Sequence, residues 1–297
     1  MWIFFALGGY ALLAGEAVLS KFLITARLKS WQLYTFYIGI FSSVVVVFTP
    51  FGFEWRGPEA FFAAIFSGLL FYLALAFLFQ SLLVSSAVRV YVLFGATMTL
   101  STVFFARIFL DDKITPAALL GIGFLIVGGT LISFKHYEKS FFSNWQKTIL
   151  AGILAALSYV VLKYAYNQQN FVSGYVISRL GITAAATLSL LLPSFREKVF
   201  ASFKKGKRKE NIKNFFGSVA AKTVAGTGTV LIHYAIFLGS VMVVNALVAT
   251  QYLLTFILSI ILSFYWKKIF IEKFTPLNVL LKFIGVVLVV LGTVLVS

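Results

Sequence analysis

The sequence contains no cysteine, and only 9 acidic residues, 5 prolines and 2 histidines in 297 positions. The absence of cysteine excludes disulfides, thiol chemistry and cysteine-ligated metal. The two histidines, His136 and His233, are too few and too far apart for a zinc site. No Gly-x4-Gly-Lys-Ser/Thr phosphate loop occurs, which excludes a Walker-type ATP site. We therefore expect neither an enzyme nor a cofactor.

Charged side chains are scarce, and apolar ones are abundant. Charged residues make up 11% of the chain and hydrophobic residues 61%, against about 25% and about 45–50% in soluble domains. With a mean hydropathy of +0.98, the chain has too few polar side chains to cover a soluble surface. The composition predicts an integral membrane protein. The first apolar run has no basic region before it, so we do not expect a cleaved signal peptide.

Apolar runs of the length that crosses a bilayer, about 20 residues, recur along the chain. The expected spans are 2–24, 33–50, 59–80, 86–106, 117–134, 146–166, 173–192, 214–236, 241–264 and 277–296. The runs are continuous, whereas the strands of a membrane β-barrel alternate. The sequence therefore predicts an all-α membrane protein with ten transmembrane helices, since backbone groups in lipid must be paired within each segment.

Proline, threonine and glycine predict where these helices end and pack. Prolines are expected to end the second and seventh spans and to open the fifth and tenth, at Pro50, Pro193, Pro116 and Pro276. The threonines before the last two are expected N-caps, Thr115 and Thr275. Small residues in the fifth and eighth spans predict close helix packing, at Gly121, Gly123, Gly128, Gly129, Gly217, Ala221 and Ala225.

The chain contains an internal repeat of five spans. Similar segments recur in the same order: 14–22 with 156–164, 50 with 193, 86–90 with 240–244, 112–116 with 272–276 and 129–130 with 292–293. Because five is odd, the second copy must enter the membrane from the opposite side. The sequence thus predicts two inverted five-helix repeats, 1–138 and 145–297, with a basic loop at 194–213 in the second. Transporters use such inverted repeats for alternating access.

Short motifs mark the two copies. An acidic-basic-x-Thr turn precedes a glycine-rich helix in each: 112–115 (DKIT) before GIGFLIVGGT, and 272–275 (EKFT) before FIGVVLVVLGT. A lysine closes the first helix of each copy, Lys21 and Lys163. In these features the chain resembles the EamA-like family of the drug/metabolite transporter superfamily over nearly its whole length.

The resemblance to this family implies a fold and a broad activity. It implies ten helices in two repeats, and export or exchange of amino acids, nucleotide-sugars or other small metabolites. The arginine that the family often carries in the second helix of a half is present as Arg179, while Phe36 stands at the aligned position of the first half. Asp112 also replaces the family's usual glutamate.

Three ionisable residues lie well inside predicted spans, away from the span ends: Glu16, Arg179 and Lys222. A charge at mid-membrane costs about 2.5–3.5 kcal/mol on insertion scales, so each needs a structural or functional reason. We favour the lining of a central water-filled cavity, with Glu16 as counter-ion to Lys222 or Arg179. The alternative is a structural ion pair that orders the bundle.

Polar side chains also follow two helical stripes. Lys222, Gly226, Thr229 and His233 share one face of the eighth span, which suits a polar pathway. Lys222 snorkelling to the interface, and His233 lying at the headgroups, are the alternatives. In the ninth span Asn245 precedes a second stripe, which interhelical hydrogen bonding explains equally well. That stripe consists of Gln251, Thr255 and Ser259.

The candidate substrate- or proton-pathway residues follow from these patterns. They are Glu16, Tyr91, Arg179, Lys222, Thr229, His233, Asn245 and Gln251, Tyr91 being included because it aligns with Asn245 in the repeat. Cations closer to helix ends are expected to act as interfacial anchors: Lys21, Arg89, Lys163 and Lys282.

Basic residues dominate the charge, with 25 Lys and Arg giving a net charge of +16. They cluster between the apolar runs, which favours contact with anionic lipid headgroups over contact with nucleic acid. The positive-inside rule places the 193–213 loop in the cytoplasm and both termini outside. The family resemblance implies the reverse, and we retain the orientation given by the charges.

We predict a secondary transporter or exporter that moves a small polar or amphipathic metabolite (amino acid-like, nucleotide-sugar-like or drug-like) by alternating access. Glu16 is the expected proton carrier, because a carboxylate in a low-dielectric cavity can load and release protons. The alternatives are a flippase or scramblase for a lipid-linked carrier, and a non-transporting scaffold. Expected partners are the substrate, membrane lipids and protons, without nucleic acid. We expect a multi-pass protein of a prokaryotic plasma membrane, and the oligomeric state stays open, a homo-oligomer included.

Overall fold

The computed structural model describes residues 1–27, 30–84, 87–133, 145–204, 208–265 and 276–296. Side chains are described for the same residues except 18–27, 84, 87–89, 133, 202–204, 208–222, 259, 262–265, 276 and 278. Throughout this described part the backbone is helical apart from short turns, and it contains no β-strand.

The helices follow one another with short connections. They are α1 (Trp2–Arg27), α2 (Trp31–Phe41), α3 (Pro58–Val84), α4 (Ala87–Phe109), α5 (Pro116–Ser133), α6 (Trp145–Gln168), α7 (Phe171–Ser189), α8 (Pro193–Lys204), α9 (Arg208–Leu238), α10 (Val241–Ala246), α11 (Val248–Tyr265) and α12 (Pro276–Val296). A 3₁₀ helix, Ser42–Phe51, continues α2.

Seven of the described helical segments are long and apolar enough to cross a membrane. They are Trp31–Phe51, Pro58–Leu83, Val90–Phe109, Trp145–Gln168, Phe171–Ser189, Val241–Leu258 and Val279–Val296. Three shorter apolar stretches accompany them, Trp2–Ala17, Pro116–Ile132 and Thr223–Leu238. The prediction of an all-α chain rich in membrane helices is thus confirmed.

The chain forms two compact units, and each takes helices from both halves of the sequence. The first unit comprises Met1–Arg27, Lys113–Phe141 and Lys207–Ser297, and the second comprises Leu28–Asp112 and Phe142–Gly206. The two predicted repeats are defined by sequence similarity, whereas these units are defined by packing. The repeats therefore stay a prediction.

In the first unit, glycines let pairs of antiparallel helices approach closely. A Cβ added at Gly9 of α1 would lie 2.8 Å from the carbonyl oxygen of Gly228 of α9, and one at Gly228 would lie 2.9 Å from that of Gly9. The Phe5 and Tyr234 rings meet edge to face at 4.9 Å, on the N-terminal side of α1. The α1 and α9 helices therefore run in opposite directions with their backbones in contact.

The α5 and α12 helices cross in the same way. A Cβ at Gly121 would lie 3.0 Å from the Gly292 carbonyl oxygen, and one at Gly128 would lie 2.7 Å from that of Gly285. Gly129 faces α11, as predicted for a packing glycine. The same expectation was wrong for Gly123, because a Cβ there would meet nothing within 4 Å.

In the second unit, α3 packs against both α6 and α7, and α4 packs against α6. Ser67 and Ser158 link α3 to α6 by donating to each other's carbonyl oxygens, at 2.9 and 2.8 Å. Thr183 of α7 donates to the Gly39 carbonyl of α2 at 3.0 Å. Serine and threonine hydroxyls that donate to carbonyl oxygens of a neighbouring helix join the two helices and leave no unpaired hydroxyl in an apolar environment.

The helix ends correct two sequence predictions and confirm one. Pro193 does not end α7, which stops at Ser189; it is the first residue of α8, where its missing N–H costs nothing. Pro50 lies within the 3₁₀ helix, which continues to Phe51 and is followed by Gly52, where glycine readily adopts the φ of 111°. Thr115 caps α5 as predicted, accepting from the Ala118 N–H at 3.2 Å.

Other predicted ends have a simpler outcome. Pro276 opens α12, as expected. Thr275 lies outside the described residues, as do the side-chain surroundings of Gly217 and Ala221.

Candidate functional site

Arg179 is a buried cation in the second unit. It lies on α7, two turns from the helix start, and only 8% of its surface is exposed. Its guanidinium carbon lies 4.9 Å from the centroid of the Tyr175 ring, one helical turn earlier, and 5.9 Å from that of Phe71 on α3. Two helices thus present aromatic rings to one charge.

The α6 helix adds two tyrosines to this arrangement. Tyr159 and Tyr166 both interact electrostatically with Arg179. The Tyr159 ring also contacts Phe71 at 5.7 Å. We call Phe71, Tyr159, Tyr166, Tyr175 and Arg179 the arginine cluster. Because ring faces attract a desolvated cation by up to about 2 kcal/mol, the cluster can hold a guanidinium inside an apolar bundle.

A break in a membrane helix marks the first unit. The sequence predicts one helix over 241–264, and the structure divides it into α10 and α11 at the single residue Leu247, whose φ of -63° and ψ of -6° stay in the right-handed helical region. At the break the backbone makes a tighter bond, from the Thr250 N–H to the Leu247 carbonyl at 2.9 Å. The Thr250 hydroxyl donates to the same carbonyl at 2.7 Å, a local bond that competes with regular helix geometry.

A tyrosine from another helix stabilises this break. The Tyr10 hydroxyl of α1 donates to the Val244 carbonyl oxygen at 2.9 Å, although the two residues are 234 positions apart. Asn245 follows at once and is fully buried, with 0% of its surface exposed. We call Tyr10, Val244, Asn245, Leu247 and Thr250 the helix-break site. It brings side-chain and backbone polar groups together within an apolar span.

His233 lies in the same unit, on α9. It is buried, with 4% exposure, and its Nδ1 lies 2.7 Å from the Thr229 carbonyl oxygen. Because a carbonyl oxygen only accepts, Nδ1 carries the hydrogen, and Nε2 is the ring nitrogen suited to proton exchange. His233 is thus enclosed by the protein, and its two expected positions, in a polar pathway or at the depth of the headgroups, stay predictions.

The rest of the predicted stripe on α9 is less enclosed. Thr229 is half-buried, and its hydroxyl donates to the Gly226 carbonyl at 2.8 Å. Gly226 itself is exposed, and the polar pathway expected along this face stays a prediction. The Lys222 side chain lies outside the described residues.

The remaining candidates are less enclosed than Arg179, Asn245 and His233. Glu16 on α1 and Gln251 on α11 are half-buried in the first unit, whereas Tyr91 on α4 of the second unit is 37% exposed. Glu16 and Arg179 belong to different units, and their ion pair stays a prediction. Thr255 is half-buried like Gln251, and the Ser259 side chain is not described.

Lys282 is a buried cation that sequence reasoning assigned wrongly. It was expected to anchor α12 at the interface, but it is only 8% exposed and its Nζ lies 4.2 Å from the centroid of the Phe256 ring on α11. The signal was present in the sequence. Since Pro276 opens α12, Lys282 lies nearly two turns inside the helix, which is farther from the helix start than an interfacial anchor in the first turn would be.

The other expected anchors have mixed outcomes. Lys163 is half-buried on α6 and interacts electrostatically with Asp112, beyond the end of α4. The side chains of Lys21 and Arg89 lie outside the described residues. Within the described part of the chain, no group of three His, Asp or Glu side chains could hold a metal ion.

Comparison with known proteins supports the fold without naming an activity. No protein-family model and no curated protein matches the sequence. Solved structures do match. One of them, described only as the crystal structure of a protein, is 15% identical, with a TM-score of 0.66 over 98% of this chain and 95% of that chain. At this identity the likeness concerns the fold alone.

Proposed function

We propose that the protein is a secondary transporter that moves a small polar or amphipathic metabolite across a membrane by alternating access. The helix-break site carries this proposal, because it places fully buried Asn245 beside a local departure from regular α-helical hydrogen bonding inside a membrane helix. At membrane depth, irregular backbone is tolerated only where protein covers it or where it lines a cavity. Transporters commonly form their substrate and ion sites where membrane helices depart from regular α-helical geometry.

Two inverted five-helix repeats form the architecture of this proposal, and two helix pairs support it. The α5 and α12 helices are the fifth helices of the two repeats, and they pack antiparallel through Gly121 with Gly292 and Gly128 with Gly285. Counterpart helices that run in opposite directions are what an inverted repeat requires.

The second helices of the two repeats, α2 and α7, are also antiparallel. Trp31 at the start of α2 lies 5.2 Å from the Phe195 ring, beyond the end of α7. At the opposite end, the Asn170 side-chain amide before α7 donates to the Gly52 carbonyl at 2.8 Å, just beyond the 3₁₀ helix.

The packing of the first helices is reciprocal. The α1 helix of the first repeat packs against α9 and α11, which are the third and fourth helices of the second repeat. The α6 helix of the second repeat packs against α3 and α4, which are the third and fourth helices of the first. The same partnership therefore recurs with the two repeats exchanged, as a twofold pseudo-symmetry predicts.

The lengths of the three remaining helices are compatible with ten membrane spans. The three apolar stretches outside the seven long segments lie in α1, α5 and α9, which have 26, 18 and 31 residues. A helix of about 17–25 residues is long enough to cross the hydrocarbon core. The acidic-basic-x-Thr turns and the glycine-rich helices that follow them, similar to the EamA-like family, support the same architecture.

Within this architecture the polar residues take distinct roles. Arg179 is suited to an anionic group of the substrate, since a guanidinium presents five N–H donors in its plane while rings cover its faces. Asn245 is suited to a neutral polar group, and Glu16 and His233 are suited to carry protons. These assignments rest on burial and chemical type, together with the general rule that intramembrane ionisable groups face water-filled interiors.

Asn245 provides the direct test of this function. Purified protein is first screened for thermal stabilisation by amino acids, nucleosides, sugar phosphates and lipid carriers, and the stabilising compound is then used for flux into proteoliposomes. Asn245→Ala should lower this flux by about 5- to 150-fold, because a lost buried hydrogen bond costs about 1–3 kcal/mol. Thr227→Ala is the matched control, since this exposed hydroxyl of α9 bonds only locally, to the Thr223 carbonyl.

Two outcomes would contradict the proposal in different ways. Stabilisation by lipid carriers alone, with lipid moved between leaflets, would favour the flippase or scramblase. Vesicles that move no solute, together with unchanged behaviour on replacing Glu16, Arg179 and Lys222, would favour a scaffold.

A further inference from the structure

The short helix α8 has one face buried against the second unit. Phe195 and Val199, one turn apart, are only 4% and 2% exposed. They pack in a cluster with buried side chains of α2, α3 and α7, namely Phe36, Tyr72, Ile182 and Ala186. The helix is thus held to the unit by its own apolar residues, and its other faces are turned away from it.

Those other faces combine charge with exposed apolar area. Arg196, Glu197 and Lys198 are all exposed, and Phe200, one turn after Arg196, is 55% exposed. The chain just before α8 exposes further apolar side chains, Leu188 at 58%, Leu191 at 77% and Leu192 at 55%. Cations beside exposed leucine and phenylalanine are typical of a segment at the boundary between headgroups and acyl chains.

We propose that α8 and the end of α7 form a binding surface for anionic phospholipid, with Arg196 and Lys198 contacting the headgroup phosphates. Leu188, Leu191, Leu192 and Phe200 lie against the acyl chains. The charge of the segment matches this partner, since 194–213 contains eight Lys and Arg but two Glu. Each cation near an anionic membrane surface contributes about 1 kcal/mol, which is about a fivefold change in affinity.

The bound lipid has a consequence inside the second unit. Phe195 contacts Trp31 at the start of α2, and the same cluster joins α2 to α7 through Phe36 and Ala186. A headgroup that holds α8 in place therefore stabilises the packing of α2 on α7. Anionic lipid should raise the stability of the protein, independently of any substrate.

The test uses the full-length protein in nanodiscs of phosphatidylcholine, with or without a quarter of phosphatidylglycerol. For the native sequence, phosphatidylglycerol should raise the melting temperature at low salt and lose this effect at high salt, because salt screens exposed charges. The double variant Arg196→Gln/Lys198→Gln should bind phosphatidylglycerol about 25-fold more weakly and show no rise. Glu197→Gln, which removes the exposed acid between them, should strengthen the binding.

Arg56→Gln is the control, because Arg56 is an exposed cation of the same unit, in the loop before α3. It should leave the phosphatidylglycerol effect unchanged. The proposal is overturned if the double variant keeps the full rise, if Arg56→Gln loses as much, or if inorganic phosphate or an oligonucleotide reproduces the rise in phosphatidylcholine alone. None of these outcomes depends on flux, so the transport proposal is judged separately.

Discussion

Two buried cations show how single residues are accommodated in this apolar chain. Arg179 and Lys282 lie in different units and are each only 8% exposed. Each is positioned over aromatic rings, Arg179 over Tyr175 and Phe71 and Lys282 over Phe256. A ring face offers negative electrostatic potential without adding a second charge, so it lowers the cost of burying a cation among apolar helices.

Substitution of Tyr175 tests whether an aromatic ring face stabilises the buried Arg179 guanidinium. Tyr175→Leu should destabilise the protein by about 1–2 kcal/mol, because it removes the ring 4.9 Å from the Arg179 guanidinium. The measurement is thermal unfolding of the purified protein, where 1 kcal/mol corresponds to a shift of about 1.6 °C for a chain of this size.

Tyr175→Phe provides the control, since it keeps the ring face and removes only the hydroxyl. It should unfold near the native temperature. If Tyr175→Phe were as destabilising as Tyr175→Leu, the hydroxyl would be the stabilising group and the ring face would not.

The α5 helix supplies a matched pair of glycines for a test at the element scale. Gly128→Ala should destabilise by about 1–3 kcal/mol, since its Cβ would lie 2.7 Å from the Gly285 carbonyl oxygen and force α5 away from α12. Gly123→Ala should be neutral or stabilising by up to about 1 kcal/mol, because its Cβ meets nothing within 4 Å and alanine favours a helix. Both are measured by thermal unfolding, and equal effects would contradict the close α5–α12 crossing.

Helix positions could be predicted from the sequence because bilayer thickness imposes a minimum length on apolar runs. Capping and proline signals in the sequence also predicted some helix ends correctly, such as the Thr115 N-cap and Pro116 at the start of α5. The break at Leu247 could not be predicted, because no proline or glycine interrupts 241–264. It involves the Tyr10 hydroxyl, a contact between residues distant in sequence.

From the sequence, a residue of the candidate site could be predicted only where its type is unusual in a membrane span. Arg179 was found because an intramembrane charge is costly, and Asn245 because an amide interrupts an apolar run. The rings around Arg179 were missed, since 34 Phe, 13 Tyr and 5 Trp give no means of choosing among them. Only the packing of α3, α6 and α7 identifies Phe71, Tyr159 and Tyr166 as neighbours.

At the scale of the whole molecule, each compact unit contains helices from both proposed repeats. The first unit holds the α5–α12 pair and the second holds the region of contact between α2 and α7. The proposed alternating access needs two arrangements of nearly equal free energy, and the proposed inverted repeats would supply them, because each repeat could adopt the conformation of the other. Counterpart helices that pair inside one unit are compatible with this exchange of conformations between the repeats, since their pairing leaves the core of each unit intact.

Membrane orientation is the remaining whole-molecule prediction, and the absence of cysteine makes it simple to test. Asn167 at the end of α6 and Ser194 in α8 are both exposed, and α7 lies between them. Single variants Asn167→Cys and Ser194→Cys are probed with a membrane-impermeant thiol reagent, with the native protein as the unlabelled control. The positive-inside rule predicts labelling of Asn167→Cys in intact cells and of Ser194→Cys only after permeabilisation.

The opposite labelling would establish the orientation implied by the family resemblance, with both termini inside. Labelling of both positions in intact cells would contradict a membrane-spanning α7, and with it the ten-span architecture. Because eight cations follow Pro193 within the basic segment 194–213, moving that segment across the membrane would oppose the potential and the anionic inner leaflet. The charges therefore favour a cytoplasmic α8, on the side where anionic lipid is available to bind it.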